Sequence, residues 1–272
     1  GCPFKLQSIV SAIELKIKNI TGSGTNKKRT LKKEIIPNLR KVFNYKKFSD
    51  EKDKWGAYAL TEYLQCSVCP YCNRNFTTFI NKLTRPQLDH FFSQSEYPYL
   101  ALSLYNLIPS CSICNGPALK RQQKFSLSSN IHPYISDFED KMRFTLSPIN
   151  GKTREFIISH FNSDEGDFNI DFEVGKPMTP KRKQKIENNI RIFALKELYN
   201  THKGYAKEIL RKNTIYKPEI MDQLFQEVGL TSFEDRYTIL YGNFWKNEDF
   251  GLRPLSKFSR DIYLYCHPDD QN

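Results

Sequence analysis

Three observations predict an α+β fold that is mostly helical, with a small stapled core embedded in it and a small β element in its C-terminal half. Leu6, Ile9, Val10, Ile13, Ile17 and Ile20 recur at three and four residues, the spacing of one helical face. "FNIDFEV" (Phe168–Val174) alternates apolar and polar residues with the period of a strand. Five of the seven cysteines stand in C-x-x-C spacing between Cys66 and Cys114, a region that breaks into short pieces. With 272 residues, 39% of them hydrophobic, the chain is long enough to bury a sizeable core in one or two domains.

Taken in order, the first helix ends in "TGSGTNKKR" (Thr21 to Arg29), a loop with two glycines and no periodicity. Leu31, Ile35, Leu39 and Val42 predict a second helix restarted at Pro37. "WGAYALTEYL" (Trp55 to Leu64) reads as a short helix that delivers the chain into the first cysteines. "FTTFI" (Phe76 to Ile80) has the β-branched and aromatic content of a strand, and "PYLALSLYNLI" is apolar enough to be buried. Beyond Ser126, "MRFTLS" and "EFIIS" are candidate strand partners of "FNIDFEV". Ile186, Ile190, Phe193, Leu195, Leu198 and Tyr199 predict one long helix, with further helix over 205–212 and 218–228. The implied organisation is a basic helical region over 1–60, a stapled core over 61–125 and a partner-binding region over 126–272.

Formal charge is +11, and it is unevenly spread. Residues 1–60 carry 14 Lys/Arg against 5 Asp/Glu, while residues 126–272 carry 21 against 22. A basic half of this kind attracts polyanions, although a solvated surface would give the same tally. No apolar run approaches the ~18 residues of a membrane span, and no charged-then-apolar leader opens the sequence. The expected location is the cytoplasm.

Cysteines in such a compartment point to metal or redox chemistry. Two C-x-x-C turns, each offering two thiolates, complete the tetrahedral set of a structural zinc, whereas a thiol redox site needs only one. Cys69 and Cys72 with Cys111 and Cys114 are the expected ligands of Zn²⁺. "CSVCPYC" also offers the pair Cys66 and Cys69. Cys2 and Cys266 are isolated and read as ordinary thiols. A tetrathiolate zinc is closed, so any reaction must come from residues between the two turns.

Those residues include Asp89, His90, Asn106 and Asn115. Hydrolysis of a phosphodiester needs an activated water and a cation beside the phosphate. A neutral imidazole can take a proton near pH 7, and a carboxylate with an amide oxygen can hold a hard divalent ion. The stretch "LDHFFSQSEYPYLALSLYNLIPSCSICNGPALK", preceded by "CPYCN", resembles the HNH endonuclease family in its zinc-bearing branch, where two cysteine knuckles flank a ββα-metal core. The resemblance covers about Cys69 to Lys120. It implies that His90 is the general base, that Asp89 and Asn115 hold the catalytic Mg²⁺ or Mn²⁺, and that Asn106 holds the loop and supports the base. Lys120 stands where a basic residue contacts phosphate. The pattern closes on a helix, in which Pro117 is unusual.

Together with "RPLSKFSRDI" (Arg253 to Ile262), these motifs are similar to HNH effectors of bacterial anti-phage systems, including those of Septu type that work with an ATPase partner. The implied substrate is DNA. Lys27, Lys28, Arg29, Lys32 and Lys33 are the first candidates for its phosphate track, and Lys120, Arg121 and Lys124 the next. The competing expectation is a non-catalytic zinc module that binds nucleic acid or a partner protein. His132, His160, His202 and His267 lie outside the pattern and are expected to be structural or exposed.

Overall fold

The computed structural model describes residues 2–21, 31–120, 123–149, 151–163, 167–216, 225–227, 229–230 and 232–268. The fold is mixed α/β, about 47% helical, with two small antiparallel sheets among the described residues. Two compact units are formed: residues 1–71, 76–137 and 183–193 make the first, and 72–75, 138–182 and 194–272 the second.

In the first unit, α1 (Pro3–Thr21) spans the predicted stripe and buries Leu6 and Val10, while Ile9 is exposed. Residues Leu31–Ile35 wind as a π-helical turn that runs into α2 (Ile36–Val42), with Pro37 in the first turn, where its missing N–H costs nothing. Asn44 caps α3 (Tyr45–Asp50) by accepting the Lys47 amide at 3.0 Å. Gly56 precedes α4 (Ala57–Leu64), and a Cβ there would lie 2.7 Å from Glu51 Cβ and 2.9 Å from the Phe48 carbonyl oxygen. Only glycine permits that approach.

Ala57 and Leu60 of α4 pack on Leu88 and Leu107, with Tyr45, Phe48 and Leu64 around them. Leu88 belongs to β1 (Gln87–His90) and Leu107 to β2 (Leu107–Ser110), which pair antiparallel with Asp89 opposite Ile108 and His90 opposite Leu107. Each buried Leu contributes roughly 2 kcal/mol. A two-stranded hairpin is marginal alone, and this helix supplies the apolar face it needs.

In the second unit, β3 (Met142–Pro148) pairs antiparallel with β4 (Phe168–Val174) from Met142 opposite Val174 to Pro148 opposite Phe168, as the alternation predicts. The helices in this half are α5 (Arg154–His160), α6 (Pro180–Ile192, mostly of the first unit), α7 (Leu195–Asn200), α8 (Lys203–Ile215), α9 (Phe233–Tyr241) and α10 (Ser256–Cys266). Phe144, Tyr199 and Phe258 pack their rings in tilted and edge-on contacts at 4.2 to 5.2 Å between centroids. The buried α10 carries charge inward: Asp261 accepts the Lys257 ammonium at 2.7 Å and the Phe144 amide at 3.0 Å, and Arg260 reaches Asp140 at 2.6 Å. Asn73 clamps its start, accepting the Lys257 amide and donating to the Phe250 carbonyl at 2.7 Å.

Several expectations are corrected. "EFIIS" lies in α5 rather than in a strand, because Thr153 caps it through the Phe156 amide and Glu155 favours the helix start. "FTTFI" makes only isolated bridges, Val68 with Phe76 and Ile80 with Thr84; Phe76 and Ile80 are exposed while Thr77 is buried, and the segment pairs with no strand along its length. The long helix breaks at Ala194, whose φ of 46° ends α6 and starts α7. "PYLALSLYNLI" is buried at Pro98, Leu100 and Ala101 but exposed at Leu102 and Leu104, and makes 3₁₀ turns at Pro98–Leu100 and Leu104–Asn106. After the second knuckle the chain makes successive turns through Lys120 instead of the closing helix, where Pro117 brings no amide hydrogen. Lys27, Lys28, Arg29 and Arg121 lie outside the described residues, as does most of 218–228; Lys33 is exposed.

His132 is buried with both ring nitrogens used, Nε2 donating to the Tyr105 carbonyl at 2.9 Å and Nδ1 accepting the Tyr134 amide at 3.2 Å. Burial pushes its pKa down to about 4, with Lys120 adding to the effect and the Tyr105 carbonyl and Asp89 opposing it. The unfolded chain therefore binds a proton between pH 6.5 and 4 that the folded chain refuses, and stability falls as pH falls through that window, by about 3 kcal/mol at most. His90 and His202, also depressed by burial, act with the same sign. Urea midpoints should drop from pH 7 to about pH 4.5, and the drop should be smaller in His132→Gln. Parallel pH curves for the two proteins would place the sensitivity in another group.

Candidate functional site

The two knuckles meet. Sγ atoms of Cys69, Cys72, Cys111 and Cys114, all buried, lie within 4.8 Å of one another. Four thiolates around one Zn²⁺ at ~2.3 Å would stand ~3.8 Å apart, so the set fits a tetrahedral structural metal such as zinc. Amide groups already point at two of the sulfurs, from Arg74 to Cys72 and from Cys114 to Cys111, both at 3.4 Å. Cys66 is outside the cluster, its Sγ donating to the Val68 carbonyl at 3.2 Å, and burial raises its pKa. The expected pair Cys69 and Cys72, rather than Cys66 and Cys69, is the one in the cluster.

Between the knuckles, β1 brings Asp89 and His90 to a cleft of about 470 Å³ whose wall also includes Tyr45, Arg85, Asn115 and Lys120. Asn106 is fully buried behind it and clasps the intervening loop, accepting the Phe92 amide at 2.7 Å and donating to the carbonyls of Phe92 and Leu100 at 3.1 Å. Next to Leu100, the Ala101 carbonyl accepts from His90 Nε2 at 3.1 Å. A carbonyl only accepts, so Nε2 carries the proton and Nδ1 the basic lone pair. The Tyr45 ring meets His90 edge-on at 4.5 Å. Burial draws the pKa of His90 below its usual 6.5, with the Ala101 carbonyl and Asp89 opposing, so the ring is neutral at pH 7.

Asp89 is held tightly. Lys120 Nζ donates to both carboxylate oxygens at 2.7 and 2.6 Å and to the His90 carbonyl at 2.6 Å, and Tyr71 donates its hydroxyl to Oδ2 at 2.6 Å. Both members of the Asp89–Lys120 pair are buried. Burial raises the Tyr71 pKa well above the usual tyrosine value, so the hydroxyl remains a donor. The Tyr71 ring stacks on Phe193 at 4.4 Å. Asn115 donates to Gln87 Oε1 at 3.0 Å from the end of the second knuckle.

Compared with known proteins, the chain matches no family model, no curated protein and no solved structure. The functional reading therefore rests on the residues themselves. The cleft gathers Asp89, His90, Asn115 and Lys120, with Asn106 in support; Lys124 is elsewhere occupied, in an exposed pair with Glu96 at 2.5 Å. A carboxylate and an amide oxygen are donors suited to Mg²⁺ or Mn²⁺. In chemistry the set fits such an ion, although the carboxylate here already faces an ammonium. Tyr71 and Tyr45 were not singled out in the sequence. Tyr71 could have been: it is the residue that the first C-x-x-C turn places between its two ligands.

Cys72→Ser should lose the bound metal and lower the melting temperature, because the free energy of a structural zinc is folding free energy. Cys66→Ser should keep both. Zinc content by metal analysis beside thermal melts checks this, and metal lost from the Cys66 variant but kept in the Cys72 variant would reverse the assignment.

Proposed function

We propose that this chain is a metal-dependent endonuclease of HNH type that hydrolyses phosphodiester bonds in DNA, as an effector of bacterial anti-phage defence beside an ATPase partner. The observation that carries the reading is the neutral, oriented imidazole of His90 on a polar cleft shared with Asp89, Asn115 and Lys120. His90 Nδ1 takes the proton from the attacking water, and the Ala101 carbonyl holds the opposite side of the ring as charge develops on it. Asp89 and Asn115 would hold the divalent ion, which supplies charge neutralisation at the phosphate when bound. Asn106 keeps the loop that presents Ala101, and the surplus cations of residues 1–60 raise the local concentration of DNA.

A non-catalytic zinc module is the second reading, favoured by the closed pairing of Asp89 with Lys120. Plasmid incubated with the protein and Mg²⁺ or Mn²⁺ separates the two. His90→Ala should reduce cleavage by about 10²-fold or more while keeping its fold and its affinity for DNA. Cleavage by the native chain should fall with acid through a pKa below 6.5 and be level above it, since the base must be unprotonated. An active His90→Ala protein would sink this mechanism.

Replacing Lys27, Lys28, Arg29, Lys32 and Lys33 by Gln should weaken DNA binding at low salt. The same change should flatten the salt dependence by about 0.9 in logarithmic slope for every phosphate that is no longer neutralised. An unchanged slope in a titration by fluorescence anisotropy would make that segment a solvated surface only.

A further inference from the structure

We infer that Lys120 and a divalent cation compete for the Asp89 carboxylate, so that entry of the ion releases the Lys120 ammonium into the cleft. The inference rests on the reading of Asp89 as an ion ligand. An ammonium has three N–H donors, and those of Lys120 meet three acceptors, Asp89 Oδ1, Asp89 Oδ2 and the His90 carbonyl. None is left for a phosphate. The carboxylate is equally committed, because Oδ2 also accepts from Tyr71. A divalent ion coordinated to this carboxylate would stand against a like charge in a buried setting, and the two cannot share it. The closed position is further held by the Phe125 ring, whose centroid is 4.6 Å from Nζ.

Lys120 lines the same cleft as Asp89, His90 and Asn115, so its flexible four-carbon stem needs only to swing outward to meet a polyanion there. In the closed position the pair keeps a buried carboxylate neutralised, and the hairpin can fold before any ion arrives. In the open one, the ion takes over that neutralisation and the ammonium becomes a phosphate ligand. Two consequences follow from linkage. The apparent ion affinity is reduced by the fraction of molecules that are open, and the ion and the polynucleotide each tighten the binding of the other.

The test uses the full chain with its cysteines loaded with zinc and reads Mn²⁺ binding by electron paramagnetic resonance. Lys120→Gln should bind Mn²⁺ about tenfold or more tightly than the native protein, and adding Asp89→Asn should abolish the gain. Equal affinity in native and Lys120→Gln proteins overturns the inference, as does tight binding that survives Asp89→Asn. Because Lys120→Gln leaves a buried carboxylate unpaired and can fail to fold, the native chain provides a second readout. Acylation of Lys120 by an amine-reactive ester, followed residue by residue by mass spectrometry, should be about tenfold faster or more at high Mn²⁺ than without it. An unchanged rate overturns the proposal. If plasmid is cut while Lys120 stays protected, the nuclease reading stands and this inference falls; if Lys120 is released by Mn²⁺ and no nucleic acid is cut, the competition stands and the nuclease reading falls.

Discussion

A carboxylate taken out of water must be neutralised where it stands, and the hairpin of this protein is organised around one that is. Asp89 sits on β1 with its two oxygens shared between the Lys120 ammonium and the Tyr71 hydroxyl. Those partners come from opposite ends of the region: Tyr71 from inside the first cysteine turn and Lys120 from just beyond the second. Lys120 in turn holds the backbone of His90, whose imidazole is oriented by the loop that Asn106 clasps. Removing one partner of such a buried pair typically costs about 3–5 kcal/mol, which is a large share of the stability of any domain.

The cysteine cluster serves the same geometry from the other side. Cys69 and Cys72 flank Tyr71, and Cys111 and Cys114 follow directly on β2, so a metal on the four sulfurs fixes both ends of the chain that meets at Asp89. The turns between Asn115 and Lys120 are short and lack the hydrogen-bond ladder of a helix. A staple next to them restrains a segment that its own backbone does not stiffen. Burial of Leu88 and Leu107 against α4 completes the support, and it is the apolar part of the same hairpin.

Local pattern reached some elements and missed others for identifiable reasons. Alternation marked β4, whose Phe168 and Ile170 are buried while Asn169 is exposed; its partner β3 is buried on both faces over Met142 to Leu146. "EFIIS" has strand-like composition, yet Thr153 gives it a helix cap, and a cap residue outweighs a weak β preference over so short a run. Apolar periodicity from Ile186 to Tyr199 continues across a break at Ala194, since both pieces bury the same kind of face and periodicity carries no record of φ. "FTTFI" shows the converse: β-branched and aromatic content without a partner strand along its length makes isolated bridges only.

The sequence by itself determined the four metal-ligand candidates, the identity of the residues offered to the cleft and the charge imbalance of the first sixty residues, because ligand type, spacing and net charge are properties of the chain. It also carried the alternation of β4. Tertiary structure alone brought the four expected sulfurs, that of Cys72 included, within 4.8 Å of one another. It alone decided that Asp89 faces an ammonium and a phenol, and which nitrogen of His90 is basic. Those outcomes depend on hydrogen bonds between residues 11 to 31 positions apart, and only packing brings such partners into reach of one another.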